Sequence, residues 1–191
     1  MDVGSSESVE AAAARIEDSI GPVFGVVANA GKSWLGPSLS MTQEDYHTLI
    51  RTNVDGSFNT ARGFAKRMLG RGGSIVLISS IASRLSGQPA PFAVYGTSKA
   101  AVTQLARSLG VEWAAQKVRV NALEPGYTAT HALATLETTQ PELAKALLSR
   151  VPMQRLLRPE EIARAIAFLL SDLSSALTAS VLIADGGCSA R

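Results

Sequence analysis

Short apolar runs alternate along the chain with stretches whose apolar residues recur every three to four positions. The runs are Val23-Phe24-Gly25-Val26-Val27-Ala28, Ser74-Ile75-Val76-Leu77-Ile78, Val118-Arg119-Val120-Asn121-Ala122-Leu123 and Ser180-Val181-Leu182-Ile183-Ala184. Runs with little polar alternation read as strands covered on both faces of a parallel sheet. Between them lie helices. Val9, Ala13, Ile16 and Ile20 share one face over residues 6–20, and Gly21-Pro22 ends that helix. Thr42 followed by Asp45 resembles a capping box with Asp in place of Glu. It opens a helical pattern through Phe58, Phe64, Ala65 and Met68, with a break near Asn53 and a stop at residues 70–73. A further helix runs from Phe92 or Tyr95 to Ala115, with Ala101, Leu105 and Leu109 along one face. Residues 127–150 read as loop with one helix inside, Pro141 at its N-terminus, and Pro159 opens the helix over 160–170.

The order αβ(α)αβαβ(α)αβ predicts an α/β fold with a doubly wound, Rossmann-like parallel sheet. Ligands bind such sheets beyond the carboxyl ends of the strands. Asn29, the Ser79–Ser80 pair and Pro125-Gly126 each follow a strand, so three turns converge on one rim.

Composition narrows the function classes. A length of 191 residues suits one domain, here 1–191, with 46% apolar and 18% charged residues. The net charge of +2 is scattered, which argues against a nucleic-acid partner. No apolar run is long enough to span a membrane, and MDVGSSESVE lacks the features of a signal peptide. Cys188 is the single cysteine, which suits a reducing, cytoplasmic setting. No metal-ligand cluster, nucleophile elbow or P-loop is present, and His47 and His131 read as surface residues.

The stretch over 79–99, SSIASRLSGQPAPFAVYGTSK, carries the chemistry. Tyr95 and Lys99 are four apart, so a helix turns both to one face. A free Tyr titrates near ~10, and a nearby ammonium favours the phenolate. Ser79 or Ser80 could hydrogen-bond a substrate oxygen. Together these groups would move a proton on or off an alcohol while a cofactor moves the hydride. The bland alternative is a surface helix with a chance Tyr–Lys pair, and the serine pair upstream weighs against it. Asn53, in Asn53-Val54-Asp55-Gly56, sits in a helical stretch that disfavours both Asn and Gly. It reads as a kink whose freed groups bind a water, or as tolerated polarity. Asp185-Gly186-Gly187 reads as a strand stop, and Glu124 as a strand-end charge or a pocket wall.

These motifs resemble those of the short-chain dehydrogenase/reductase family, of its common NAD(P)-dependent type. The resemblance spans Asp2 to Gly187. The family's Asn-Asn-Ala-Gly turn matches Ala28-Asn29-Ala30-Gly31, and its helix asparagine matches Asn53. Its Ser, Tyr and Lys match Ser80, Tyr95 and Lys99. Its Pro-Gly matches Pro125-Gly126, with Thr128 and Thr130 following, and its adenine-side Asp-Val matches Asp2-Val3. The resemblance implies an oxidoreductase that interconverts a secondary alcohol and a ketone with NAD or NADP. Tyr95 would be acid/base, Lys99 would lower its pKa and hold the ribose, Ser80 would orient the substrate oxygen, and Asn53 would hold a relaying water. A homodimer or homotetramer built on the two long helices is implied as well. Two departures are mild: a slightly long Ser80–Tyr95 interval, and Gln154 where Gly is common. The third is larger, because no Thr-Gly-x-x-x-Gly-x-Gly turn is present. The resemblance then implies strands equivalent to the family's fourth to seventh, the first three absent, and an exposed edge at Val23–Ala28. It leaves the NAD/NADP choice unread. A second expectation is a non-catalytic relative that keeps the oligomer surfaces.

Overall fold

The computed structural model describes residues 1–86 and 90–190; of His131, Ala132, Ala134 and Glu137, the backbone alone is described. Gly87, Gln88 and Pro89 of the 79–99 stretch, and the surface reading of His131, lie outside the described residues.

Each apolar run forms a strand: β1 (Gly25–Ala28), β2 (Gly73–Ile78), β3 (Val118–Pro125) and β4 (Val181–Ala184). They make one parallel sheet in the order β1-β2-β3-β4, with Ala28 level with Leu77 and Ile78 level with Leu123. Among the described residues β1 pairs only with β2, and Phe24 beside it is 54% exposed. The helices are α1 (Ser6–Ile20), α2 (Gln43–Ile50), α3 (Gly56–Met68), α4 (Ala93–Trp113), α5 (His131–Thr139), α6 (Pro141–Leu148) and α7 (Pro159–Leu170).

Local signals explain the helix starts. Ser5 Oγ accepts from the Ser8 amide, and Thr42 Oγ1 accepts from the Asp45 amide at 3.1 Å. The Glu161 carboxylate reaches back to the Arg158 amide at 2.8 Å and closes the first turn of α7. The strands then sort side chains by parity. Ile75 and Leu77 of β2 pack with Val9, Met68, Val102 and Trp113 under α1, α3 and α4. Val76 points the other way, onto Leu123 and Leu169 under α7. Burying both faces of β2 is what a run without polar alternation requires.

Four boundaries differ from the sequence pattern. The first strand begins at Gly25 rather than Val23. β3 runs through Glu124 and Pro125, because these pair with Ile183 and Ala184. The 127–150 segment holds two helices, α5 and α6, where one was expected. The threonines of α5 are poor helix formers, which hid it. The break near Asn53 is a wide turn over Arg51–Asp55, where the Gly56 amide bonds the Arg51 carbonyl five residues back.

Gly110 shows how closely α4 approaches the sheet. A Cβ there would stand 2.5 Å from the Ala179 nitrogen and 2.8 Å from the Val120 oxygen, both backbone atoms. Gly110→Ala therefore forces the backbones apart. Urea unfolding is expected to show a loss near the upper end of ~1–3 kcal/mol; an unchanged midpoint would contradict the packing. No helix among the described residues is long and apolar enough to cross a membrane.

Candidate active site

Tyr95 and Lys99 leave the first turns of α4 on one face. Lys99 is 5% exposed, and its Nζ lies 5.9 Å from the Tyr95 ring centre. That Nζ donates to the Ile78 carbonyl at 2.8 Å, at the end of β2. Ser79 next to it donates to the Lys99 carbonyl at 2.7 Å. Ser80 caps the turn over Ile81–Ser83 by accepting from the Ala82 amide, and its hydroxyl lies beside the Tyr95 phenol on the same wall. The end of β2 and the start of α4 are thus bound together by Ser79 and the lysine.

Asn53 closes the constellation from behind. Its Oδ1 accepts from the Lys32 amide at 2.7 Å, and its Nδ2 donates to the Lys32 carbonyl and to Ser98 Oγ, both at 2.9 Å. Ser98 in turn donates to the Tyr95 carbonyl. The Asn53 carbonyl accepts from Ser57 Oγ at 2.6 Å, so a water there would use its second lone pair. Glu124 is fully buried and lines neither of the two cavities over the strand ends. It pairs with Arg84 and accepts from Ser83 Oγ and Thr103 Oγ1, and Thr103 lies 2.8 Å from Ser79 Oγ.

Two adjoining cavities open over the strand ends. One, of about 590 Å³, is lined by Asn29, Gly31, Lys99 and Pro125, with Ile162 and Ile166 of α7 as its far wall. The other, of about 350 Å³, lies toward α5 and α6. Ser33, Ser80, Tyr95, Gly126, Thr128 and Thr130 border both. The threonine segment is held in place by Leu157, which accepts from the Ala129 amide and donates to the Tyr127 carbonyl. Asp185 accepts from the Gly187 and Ser189 amides, which makes the last strand's turn a structural stop.

A family model described as enoyl-(acyl carrier protein) reductase matches residues 1–189. The chain is 40% identical over 187 residues to a galactitol 2-dehydrogenase (L-tagatose-forming) of Cereibacter sphaeroides, covering 97% of this chain and 73% of that protein. It is 34% identical over 189 residues to a D-arabinitol 2-dehydrogenase (ribulose-forming) of Candida tropicalis, covering 97% and 67%. The crystal structure of a Burkholderia cenocepacia gluconate 5-dehydrogenase in complex with NADP and tartrate superposes with a TM-score of 0.93 at 31% identity, covering all of this chain and 74% of that one. The chain belongs to the short-chain dehydrogenase/reductase family. It is therefore, by kinship, an oxidoreductase of the NAD(P)-using kind with a small-molecule substrate.

Within the family frame, the cleft fits a nicotinamide nucleoside. Gly31 is the cradle: a Cβ there would lie 3.3 Å from Lys99 Nζ and 3.4 Å from Asn53 Oδ1, so a larger residue would fill the space before the lysine. The lysine has three N–H donors and meets one acceptor, Ile78, among the described residues. Three family-matched residues are not brought to the cleft. Asp2 pairs with Arg51 at 3.1 Å, and Val3 packs on Gly56 while its carbonyl accepts from Asn59. Ala30 is exposed and lines neither cavity. Gln154, where the family commonly has Gly, takes a left-handed backbone with φ of 53°, which accounts for that preference.

The electrostatics differ from the sequence argument. A lowered Tyr95 pKa was expected; burial instead pushes the phenol up, and the neighbouring Ser80 hydroxyl opposes it. Burial also pushes the Lys99 ammonium from 10.5 down to about 8. Withdrawal from water acts on both groups, and the lysine is drawn to the Ile78 carbonyl rather than to the phenol.

A pH dependence follows. Unfolded Lys99 keeps its proton to about 10.5, and the folded residue only to about 8. Between these values the unfolded chain holds more protons, so raising the pH stabilises the fold. Tyr95 acts in the opposite direction only above its ordinary 10. From pH 7.5 to 9.5 the chain is expected to gain about 2 kcal/mol over a Lys99→Met variant in paired urea melts. A constant difference would show that Lys99 is not desolvated.

Sequence reasoning missed Ser98, Thr103 and the α7 wall. Ser98 and Thr103 lie three and eight residues after Tyr95, on the helix face that Lys99 shares. That spacing was the available signal.

Proposed function

We propose that the chain interconverts a secondary alcohol and a ketone, with Tyr95 as the proton donor and acceptor. One observation carries this reading. Tyr95 and Ser80 stand on the wall common to both cavities, while Lys99 faces the larger one only. Asn29, Gly31, Lys99, Pro125, Gly126, Thr128 and Thr130 would hold the nicotinamide end of NAD or NADP on the larger side. When bound, that group supplies or accepts the hydride. In the reducing direction Ser80 Oγ donates a hydrogen bond to the carbonyl oxygen, and the Tyr95 hydroxyl gives it the proton. In the oxidising direction Tyr95 takes the proton back, and the Lys99 charge favours the phenolate. Asn53 holds Lys32 and Ser98, and so fixes both the Gly31 turn and the Tyr95 backbone, with a relaying water on its carbonyl.

In this reading the four strands are the family's last four, and Asp2-Val3 contact the adenine side from the Arg51 turn. Subunits pair through α3 and α4, where Phe58 and Val111 are 37% and 73% exposed, as a homodimer or homotetramer. A second reading, a non-catalytic relative that keeps the oligomer surfaces, differs from the first in whether the chain binds cofactor. Fluorescence titration of the chain with NADH and NADPH separates the two. Saturable micromolar binding by either is the expected result. Absence of binding by both, in a stable multimer, would establish the non-catalytic reading.

A further inference from the structure

The smaller cavity is built unlike a site for a polyol. Its walls come from separate parts of the chain, with Leu35, Leu85, Phe92, Leu136, Leu143 and Leu147 among the apolar side chains. No charged side chain lines it among the described residues. Five of the six hydroxyls on its described lining residues, those of Ser33, Ser80, Tyr95, Thr128 and Thr130, belong to the border shared with the larger cavity. Tyr127 carries the sixth, and burial raises its pKa. The chamber therefore has a polar mouth, where a carbonyl would react, and an apolar interior.

That division bears on recognition. A hydroxyl carried into the interior would leave water without a partner, and each such group lowers affinity by roughly tenfold. A sugar acid would bring a carboxylate to a chamber with no lysine, arginine or histidine among its described lining residues. An alkyl or aryl body gains instead from every methylene it buries, about fourfold each. The volume of about 350 Å³ holds roughly ten non-hydrogen atoms, at the ~30 Å³ that a water molecule occupies in the liquid.

We propose that this chain takes a ketone or secondary alcohol with an apolar body seated against Leu136, Leu143 and Phe92, rather than the polyhydroxylated substrates for which some of its relatives are named. The assignment rests on the alcohol–ketone reading for the chemistry at Tyr95, and on the cavity alone for the class of molecule.

The test pairs turnover with binding. The probes are methyl ketones from 2-butanone to 2-octanone, with a ketohexose as the hydroxylated counterpart of similar length. With NADH or NADPH, kcat/KM is expected to rise about fourfold per added methylene until the chamber is full. Leu143→Gln should flatten that rise. In parallel, ligand-observed NMR follows 2-octanone and the ketohexose on the full chain without turnover. Preferential binding of 2-octanone with no reduction of any ketone would support the apolar chamber and defeat the oxidoreductase reading. Preference for the ketohexose in either measurement, or a flat series, would overturn the proposal and leave the oxidoreductase reading intact.

Discussion

Tyr95→Phe is expected to lower kcat for ketone reduction by on the order of a thousandfold, with the Kd for NAD(P)H unchanged. The substitution keeps the ring and its packing and removes one oxygen. Tyr95 stands with Ser80 on the border of the two cavities, so its oxygen is placed to reach a carbonyl that Ser80 also holds. Stability should change by no more than about 1 kcal/mol, the worth of one hydrogen bond. Steady-state kinetics and a urea melt on the same preparation check both statements. A variant retaining a tenth or more of the activity would remove Tyr95 from the chemistry. A variant that loses cofactor binding as well would make it a positioning residue.

Asn53→Ala should be the most damaging single change behind the site. The side chain is fully buried and makes three hydrogen bonds, two to Lys32 and one to Ser98. Alanine removes all three and leaves a void beside the wide turn over Arg51–Asp55. The expected cost is about 2–4 kcal/mol. The functional effect follows from Gly31, which rests against both Asn53 Oδ1 and Lys99 Nζ. Freed from Lys32, that turn no longer holds the cofactor side of the cleft, so KM for NAD(P)H should rise more than kcat falls. A melt within 0.5 kcal/mol of the parent, roughly the level of a surface change, would contradict the clamp.

The sequence carried much of the fold because β2 and β3 are buried on both faces, and unbroken apolar runs announce such strands. The Tyr95–Lys99 spacing, the Asn53 kink and the turn at Pro125-Gly126 were equally legible, since each breaks a local rule or shares a helix face. What stayed hidden depends on contacts distant in sequence. Glu124 meets Arg84 and Thr103, respectively 40 and 21 residues away, and nothing local marks it as the tie between β3 and α4. Asp2-Val3 matched a family dipeptide, but its partners Arg51 and Gly56 follow from tertiary packing. The leucines of α5 and α6 look like ordinary core in the sequence, and only their placement shows that several of them face a cavity. The sign of the Tyr95 shift was hidden for a related reason. A Tyr–Lys pair considered alone predicts a lowered pKa, while the loss of water around both groups comes from the whole fold.

The central claim is that this chain moves a hydride to a ketone while Tyr95 supplies the proton. The direct test incubates the chain with NADH or NADPH carrying deuterium at both C4 positions and an apolar methyl ketone, then examines the product by NMR. The account predicts one deuterium on the carbinol carbon of a single enantiomer, formed by the parent chain and not by Tyr95→Phe. Ketone recovered without deuterated alcohol, with either cofactor at saturating concentration, would contradict it.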